Sequence, residues 1–142
     1  MPTTPDVAVD EIVAVVSPSL VGIPTQYPNQ DEPTKSAKDV WARVSIRHAE
    51  GSRATLGGKL RRQRYIGTVY IQFFFPVGTG STDIYTTPKP TLDAIMDART
   101  PGGVWFRDAV MYEGLADDEE QDAAPYFPMT VRASFTYDEI RG

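Results

Sequence analysis

Cysteine is absent from this chain of 142 residues, and that absence excludes three kinds of site together. A disulfide framework, a thiolate-bound zinc ion and a cysteine nucleophile all need the missing side chain. Histidine occurs once, as His48, and a single imidazole without cysteine partners does not make a zinc site. Because His48 ends a predicted strand on its inward-facing side, we expect it to have a structural role and no catalytic one.

Basic residues ahead of an apolar stretch are also missing from the first ten positions, so the sequence predicts no signal peptide. The apolar run at residues 12–16 is far too short to span a membrane. We therefore expect a soluble protein without a membrane partner, acting where it is made or inside a particle assembled there. Its length and its 41% hydrophobic content fit a single domain, residues 1–142, with one ordinary core.

The charges of the chain are segregated along the sequence. The net charge is -5, which predicts mild repulsion from nucleic acid for the protein as a whole. Nine of the 14 lysines and arginines lie between Lys35 and Arg64, and we predict a mobile basic loop at residues 50–64. Acidic residues bunch between Asp117 and Asp122, within a predicted acidic loop at residues 114–125. The molecule therefore has one positive and one negative segment.

Hydrophobic periodicity predicts the order of helices and strands. A first helix starts at Pro5 with Thr4 as its cap and ends near Ser17-Pro18. Alternating apolar residues predict strands at 40–48, 65–75 and 129–137, and a strand of mixed pattern at 104–112. The strand at 65–75 is apolar on both faces, so we place it at the centre of a sheet with cover on both sides.

A second helix is predicted from near Pro90 to Thr100, with Leu92, Ile95 and Met96 as its buried stripe. The order is then helix, strand, strand, helix, strand, strand. It predicts an α+β fold, with a mixed or antiparallel sheet of about four to five strands and helices packed on one face.

A convergent set of reactive residues is missing from the sequence. Gly78-Thr79-Gly80 lacks the Lys-Ser/Thr pair that completes a phosphate-binding loop. The acidic run that begins at Asp117 lacks the alternating Asp-x-Asp-x-Asp-Gly spacing that wraps ligands around calcium. We therefore predict no catalytic residues, no metal site and no cofactor, and expect a protein that is not an enzyme.

The basic loop has three interpretations: a solvated connection, a contact that neutralises nucleic-acid phosphates, or a contact with the acidic loop of another copy. Aromatic residues that would stack on bases are missing between Arg53 and Arg64. Head-to-tail contacts close into rings when the rotation allows, so a chain with one loop of each sign suits a ring. The candidate interface residues are Arg53, Lys59, Arg61, Arg62, Arg64, Asp117, Asp118, Glu119 and Glu120.

Several segments, in order, resemble a family of small phage proteins. The family has a short "phe-pro-asn" element, a tryptophan-led strand, a "leu-gly-gly" loop, a strand running into "gly-thr-gly", and a final strand. The matching segments here are Tyr27-Pro28-Asn29, Val40 to His48, Leu56-Gly57-Gly58, Gly67 to Pro76 with Gly78-Thr79-Gly80, and Val131 to Glu139. The family is that of the tail terminator, or tail completion, proteins of long-tailed bacteriophages, of the lambda-like type.

The resemblance implies a structural virion protein, assembled in the host cytoplasm, that forms a ring of six copies. Such a ring caps the finished tail tube and offers a surface to the head-side connector or stopper protein. Viral DNA passes through its lumen without sequence-specific binding. The sequence departs from the family at the middle helix, which Pro88 and Pro90 are expected to interrupt. Two alternatives stay open: another head-to-tail neck component, or a small nucleic-acid-binding module that uses the basic loop.

Overall fold

The computed structural model describes residues 4–28, 30, 33, 39–49, 52–53, 61–77, 82–114 and 126–141. Its strands are β1 (Thr25–Gln26), β2 (Trp41–His48), β3 (Ser52–Arg53), β4 (Arg61–Pro76), β5 (Trp105–Glu113) and β6 (Tyr126–Arg141). Its helices are α1 (Pro5–Val16), α2 (Thr82–Thr86) and α3 (Lys89–Ile95), and a short 3-10 helix, Ser17–Leu20, follows α1 directly.

The six strands form one sheet in the order β1-β2-β4-β6-β5, with β3 paired to β4 off this path. Every pairing is antiparallel except that of β1, which runs parallel to β2. The long strand β4 lies in the centre, because β2 pairs with it from Trp41↔Phe74 to His48↔Gly67 while β6 pairs along its other side. The predicted α+β class, with a mixed sheet and helices on one face, is confirmed.

Helix α1 follows from simple sequence features. Pro5 occupies its first turn, where a missing N–H costs nothing, and Asp6 places a negative charge near the positive end of the helix dipole. Ala8, Ile12 and Val16 recur every four residues and are fully buried. The predicted start and end of this helix are confirmed. Thr4 takes the cap position without a side-chain capping hydrogen bond, and its hydroxyl donates to the Asp6 carboxylate.

The prolines mark the start of the middle helix and separate it from α2, so the predicted start near Pro90 and the expected interruption are both confirmed. Pro88 is the N-cap of α3 and Pro90 lies in its first turn, where proline is tolerated. The prediction for Met96 was wrong: the helix ends at Ile95, and Met96 is the C-cap with 48% of its surface exposed. Helix α2, one short turn before α3, was not predicted.

The hydrophobic core lies between the helices and one face of the sheet. Alternate residues of β4 and β6 fill it, and the fully buried aromatic side chains Phe73, Phe75, Phe106 and Phe135 are its largest members. One polar contact ties α1 to the turn before β5. The Glu11 carboxylate accepts hydrogen bonds from the Thr100 hydroxyl, at 2.5 Å, and from the Gly102 N–H, at 2.9 Å. Buried apolar area and this bridge together fix the helices on the sheet.

Two predictions about the sheet need correction. Residues 52–53 and 61–64, placed in a mobile loop at 50–64, belong to β3 and β4, because the pairing of β4 with β6 runs on to Arg61↔Arg141. Residues 54–60 lie outside the described residues, as do 115–125 of the predicted acidic loop.

The second face of β4, which was predicted to be covered, is covered at one end alone. Phe74 is buried there under the ring of Trp41, whereas Ile66 at the other end is 41% exposed.

Candidate functional site

The side of the sheet that faces away from the helices, termed the outer face, carries the polar side chains of the strands. Residues opposite each other on paired antiparallel strands point to the same side, so the pairing register defines its rows. One row runs Arg47, Thr68, Ser134, Arg107, and another runs Arg43, Gln72, Thr130, Tyr112. The outer face is therefore built on rigid strands.

Positive charge dominates the described part of the outer face. Its strand residues include five arginines and one acidic residue: Arg43, Arg47, Arg64, Arg107, Arg132 and Asp138. Asp138 forms an ion pair with Arg64, with Nε 3.0 Å from Oδ1, and this pairing raises the pKa of Arg64. The face has this sign although the chain as a whole carries a net charge of -5. Charge is thus segregated in the fold as well as along the sequence.

The arginines lie over aromatic rings. The Arg43 guanidinium carbon is 5.3 Å from the ring centroid of Trp41, and that of Arg47 is 5.5 Å from the centroid of Tyr70. Arg132 lies 5.7 Å from the centroid of Tyr112. Cation–π attraction of this kind contributes roughly 0.5–1 kcal/mol at an exposed site. It also restricts a long side chain that would otherwise be mobile, and so prepares the guanidinium for a further contact.

Trp105, at the edge strand β5, has two guanidinium groups against its indole. The guanidinium carbons of Arg99 and Arg107 are 4.3 Å and 4.9 Å from its ring centroid. Arg99 pairs with Trp105 through an isolated antiparallel bridge, which places both side chains on the outer face. Two like charges beside one indole repel each other, so this arrangement favours an anion between or above them.

Arg99, Arg107 and Arg132 form no ion pair with any described residue. The ion pairs that join described residues are Arg64 with Asp138 and Lys89 with Asp93, the latter 2.6 Å apart within α3. The three arginines are termed the arginine cluster below. They are the part of the outer face with positive charge available to a partner.

Gln72 is an unusual residue of the outer face, since its side chain is fully buried and polar. Neither its amide oxygen nor its amide nitrogen has a hydrogen-bond partner among the described residues. A buried polar group left in this state costs about 1–3 kcal/mol. Thr130, its neighbour on β6, is equally buried, but its hydroxyl donates to the Gly114 carbonyl at 2.6 Å.

A cluster of aromatic side chains surrounds His48 on the core side of the sheet. His48 Nε2 is 2.6 Å from the Tyr137 hydroxyl, and burial lowers the pKa of the imidazole. The Tyr137 ring stacks on Tyr65 at 5.1 Å, and the Tyr65 hydroxyl donates to Glu139. Burial, aided by the charges of Tyr65 and Glu139, raises the pKa of Tyr137. The contacts of His48 shown here are aromatic and hydrogen-bonded, in keeping with a structural role.

The edge of β2 that faces away from β4 borders a cleft of about 390 Å³. Strand β1 covers β2 at Ala42 and Arg43, and no described strand lies beside Val44 to His48 on that side. Tyr27 and Pro28 line the cleft opposite this edge. Sheet edges bind further strands through backbone hydrogen bonds, so this edge is a second candidate contact surface.

The predicted interface residues are only partly described by the structure. Arg53 lies in β3 opposite Gln63, and Arg61 and Arg62 lie in β4 opposite Arg141 and Ile140. Arg64 is engaged by Asp138. Lys59 and the acidic residues Asp117, Asp118, Glu119 and Glu120 lie outside the described residues.

Within the described ranges, no group of three or more metal-ligating side chains is found. No helix in the described part of the chain is long and apolar enough to cross a membrane.

Sequence reasoning missed the outer-face arginines as a group. Arg43, Arg47 and Arg132 each alternate with apolar residues in the sequence, which marks them as outward-facing. Bringing these three positions together requires the register of β2, β4 and β6, and that register is not readable from one strand at a time. One signal in the sequence could have pointed to this group: the outward-facing positions of the separately predicted strands repeatedly carry arginine.

Comparison with known proteins supports the fold. No protein-family model matches the chain, and no curated protein matches it significantly. A solved structure is similar along nearly its whole length, with a TM-score of 0.62 at 17% sequence identity, covering 99% of this chain and 97% of that chain. At this identity the similarity shows a shared fold, and the name of the matched protein states no activity.

Proposed function

We propose that the chain is a structural protein of the phage virion, a tail terminator that forms a ring, most simply of six copies. The ring caps the tail tube and joins it to the head-side connector or stopper, and viral DNA passes through its lumen without sequence-specific binding. The observation that carries the proposal is the charge segregation within the fold. A chain of net charge -5 presents a sheet face rich in arginine, and an acidic segment elsewhere in the same chain complements it.

Charge segregation favours contacts between unlike surfaces of identical copies. Contacts of this type are heterologous, and they close into a ring when each copy is rotated by a constant fraction of a turn. The order of the sequence segments resembling tail terminators then favours the tail end over other ring-forming assemblies.

Native mass spectrometry across a concentration series, with electron micrographs of any large species, tests this proposal. The expected result is a closed ring with an open lumen. A chain that stays monomeric at every concentration, and that also fails to bind preformed tail tubes, would contradict it. If the rings bind the head-side connector but not the tail tube, the protein is another component of the neck.

The basic segment provides a second test within this proposal. Reversing Arg61 and Arg62 to glutamate is expected to impair ring assembly while the monomer keeps its circular dichroism spectrum and melting temperature. Lys89→Glu is a suitable control, because Lys89 lies on α3, paired with Asp93 in the same helix and away from the outer face. An unchanged assembly state in the Arg61/Arg62 variant would remove this segment from the interface.

A nucleic-acid-binding module is the second candidate function, and the arginine-rich outer face is the observation in its favour. A protein that binds duplex DNA through several arginines loses affinity steeply as salt rises, since each phosphate contact releases counterions. Fluorescence anisotropy of a labelled duplex at increasing salt concentrations distinguishes the two functions. A tail terminator should show weak binding at every salt concentration.

A further inference from the structure

We infer that the arginine cluster, Arg99, Arg107 and Arg132, is the docking site for the acidic segment of a neighbouring copy. This inference rests on the proposed ring and names the two surfaces that meet in it. The arginines lie at the β5 side of the outer face, and the partner segment is residues 114–125 of the second copy, whose acidic residues are Asp117, Asp118, Glu119, Glu120 and Asp122.

The geometry of the cluster places its guanidinium groups close together. Arg107 is opposite Ser134, and Ser134 is two residues from Arg132 on the same face of β6. Diagonal neighbours of this kind have Cα atoms roughly 7–8 Å apart. Arg99 joins Arg107 across the Trp105 ring. Three positive groups within the reach of one short peptide can each meet a different carboxylate.

The chemistry of the cluster fits carboxylates better than nucleobases. Trp105 and Tyr112 each have a guanidinium over the ring, so those ring faces are already in use for stacking. A guanidinium stacked on a ring still has N–H groups along its edge, and these bind a carboxylate in a two-point contact. Because the stacking already restrains the side chain, less entropy is lost when the carboxylate arrives.

Charge complementarity identifies the occupant. The acidic segment carries five carboxylates within six residues, whereas the arginine cluster has no ion-pair partner among the described residues. The net charge of -5 disfavours the approach of a free polyanion such as a nucleic acid. In the proposed ring, by contrast, the contact between copies itself brings an acidic segment to the arginine cluster.

The charge-exchange experiment below separates a neighbouring copy from the same copy as the source of the acidic segment. That segment joins Glu113 of β5 to Tyr126 of β6, and Glu113 lies opposite Met129. Along β6, Arg132 is three positions from Met129 and Ser134, opposite Arg107, is five, which are roughly 10 and 17 Å. Trp105, opposite Thr136, is seven positions away, which is roughly 23 Å, so the Arg99 end of the cluster is the part farthest from the segment of the same copy.

The test compares association of variants matched in net charge. Arg107→Gln with Arg132→Gln and the control Lys89→Glu each lower the net charge by two. Sedimentation velocity across a concentration series should show the arginine variant needing about tenfold more protein for half-assembly, while the control assembles like the parent. Circular dichroism and thermal melting confirm that both variants fold. Equal assembly of the arginine variant and the parent would overturn the inference and leave the proposed ring standing.

Charge exchange makes the test specific for a contact between copies. One variant carries R107E and R132E, and a second carries D118R and E119R. Neither should assemble alone, and mixing them should restore assemblies that contain both chains, since each acidic surface then meets a basic one. If the mixture stays unassembled, the two surfaces do not meet and the inference is wrong. A parent chain that is monomeric at every concentration, and that also fails to assemble on preformed tail tubes, overturns both the inference and the ring.

A labelled duplex oligonucleotide completes the experiment. The inference expects binding of the parent chain to be weak and unaffected by R107Q with R132Q. Tight, salt-sensitive binding that this double variant abolishes, together with unchanged self-association, would instead assign the arginine cluster to nucleic acid and overturn docking by a second copy.

Discussion

Replacing Gly67 with alanine tests the packing of the sheet centre most directly. Gly67 lies in the middle of β4, opposite His48 of β2 on one side and Phe135 of β6 on the other. A Cβ atom built at this position would collide with the backbone carbonyl oxygen of Arg47 and with the tip of the Phe135 ring, whose Cε2 would be 2.9 Å away. The ring crosses the space that a side chain would otherwise fill, as aromatic residues do over strand glycines.

The expected cost follows from two opposing effects. Inserting a methyl group into a close-packed site costs about 1–3 kcal/mol, and the upper part of that range applies because a strand carbonyl has little freedom to move. Removing the flexibility of glycine from the unfolded chain returns roughly 0.5–1 kcal/mol. We therefore expect Gly67→Ala to lower the free energy of unfolding by about 2 kcal/mol. For 142 residues this corresponds to a fall in Tm of about 7 °C.

Urea unfolding, followed by tryptophan fluorescence and circular dichroism, measures this change. Thr68→Ala is the matched control, since Thr68 is the next residue on the same strand and points to the outer face. Introducing Phe135→Leu removes the ring tip, so Gly67→Ala should cost less in that background than in the parent chain. A Gly67→Ala protein as stable as the parent, or an unchanged cost in the Phe135→Leu background, would refute the placement of the Phe135 ring over Gly67.

Three further changes probe the core, the polar bridge and the imidazole. Phe73→Ala should lower the free energy of unfolding by about 3–5 kcal/mol, because Phe73 is fully buried at the centre of the sheet. Glu11→Ala should cost about 1–3 kcal/mol in urea unfolding, because the Thr100 hydroxyl and the Gly102 N–H lose their acceptor. The free energy of unfolding should fall as the pH is lowered from about 7.5 to 5.5. Burial lowers the pKa of His48 in the folded protein, so in this range the unfolded chain binds a proton at His48 more readily than the folded chain does.

Each of these outcomes has a control. Asp10→Ala, on the exposed side of α1, should leave stability within about 0.5 kcal/mol of the parent, in contrast to Glu11→Ala. His48→Gln should flatten the pH dependence between about 7.5 and 5.5, which carboxylates do not reproduce because they titrate below this range. A Phe73→Ala protein that melts like the parent would contradict the position of β4 in the sheet.

The strands could be predicted because each has a simple physical signature. Alternation of apolar and polar residues marks β2 and β6, and apolar residues on both faces mark β4 as central. Strand β5 shows a mixed pattern because its register shifts between Arg107 and Val110, where Asp108 has a positive φ of 55°. This bulge puts Phe106 and Met111 on the core side although they are five positions apart, an odd spacing that breaks the period of two.

Predictions failed where pairing partners decide the structure. Arg61 to Arg64 have little to bury, so their composition predicted a loop, yet β6 extends beside them and its backbone hydrogen bonds hold them in a strand. Met96 was placed in the core by helical spacing, but α3 ends at Ile95, so that spacing does not extend to Met96.

The position of the arginines bears on how a ring of this chain would assemble. A basic loop loses backbone and side-chain entropy on every contact, roughly 1–2 kcal/mol for each residue ordered. Arginines on paired strands, each held over an aromatic ring, have lost much of that freedom before the partner arrives. Identical contacts around a closed ring also require identical geometry, which a strand holds better than a loop. In the proposed ring, the outer face is therefore well suited to set the angle between neighbouring copies.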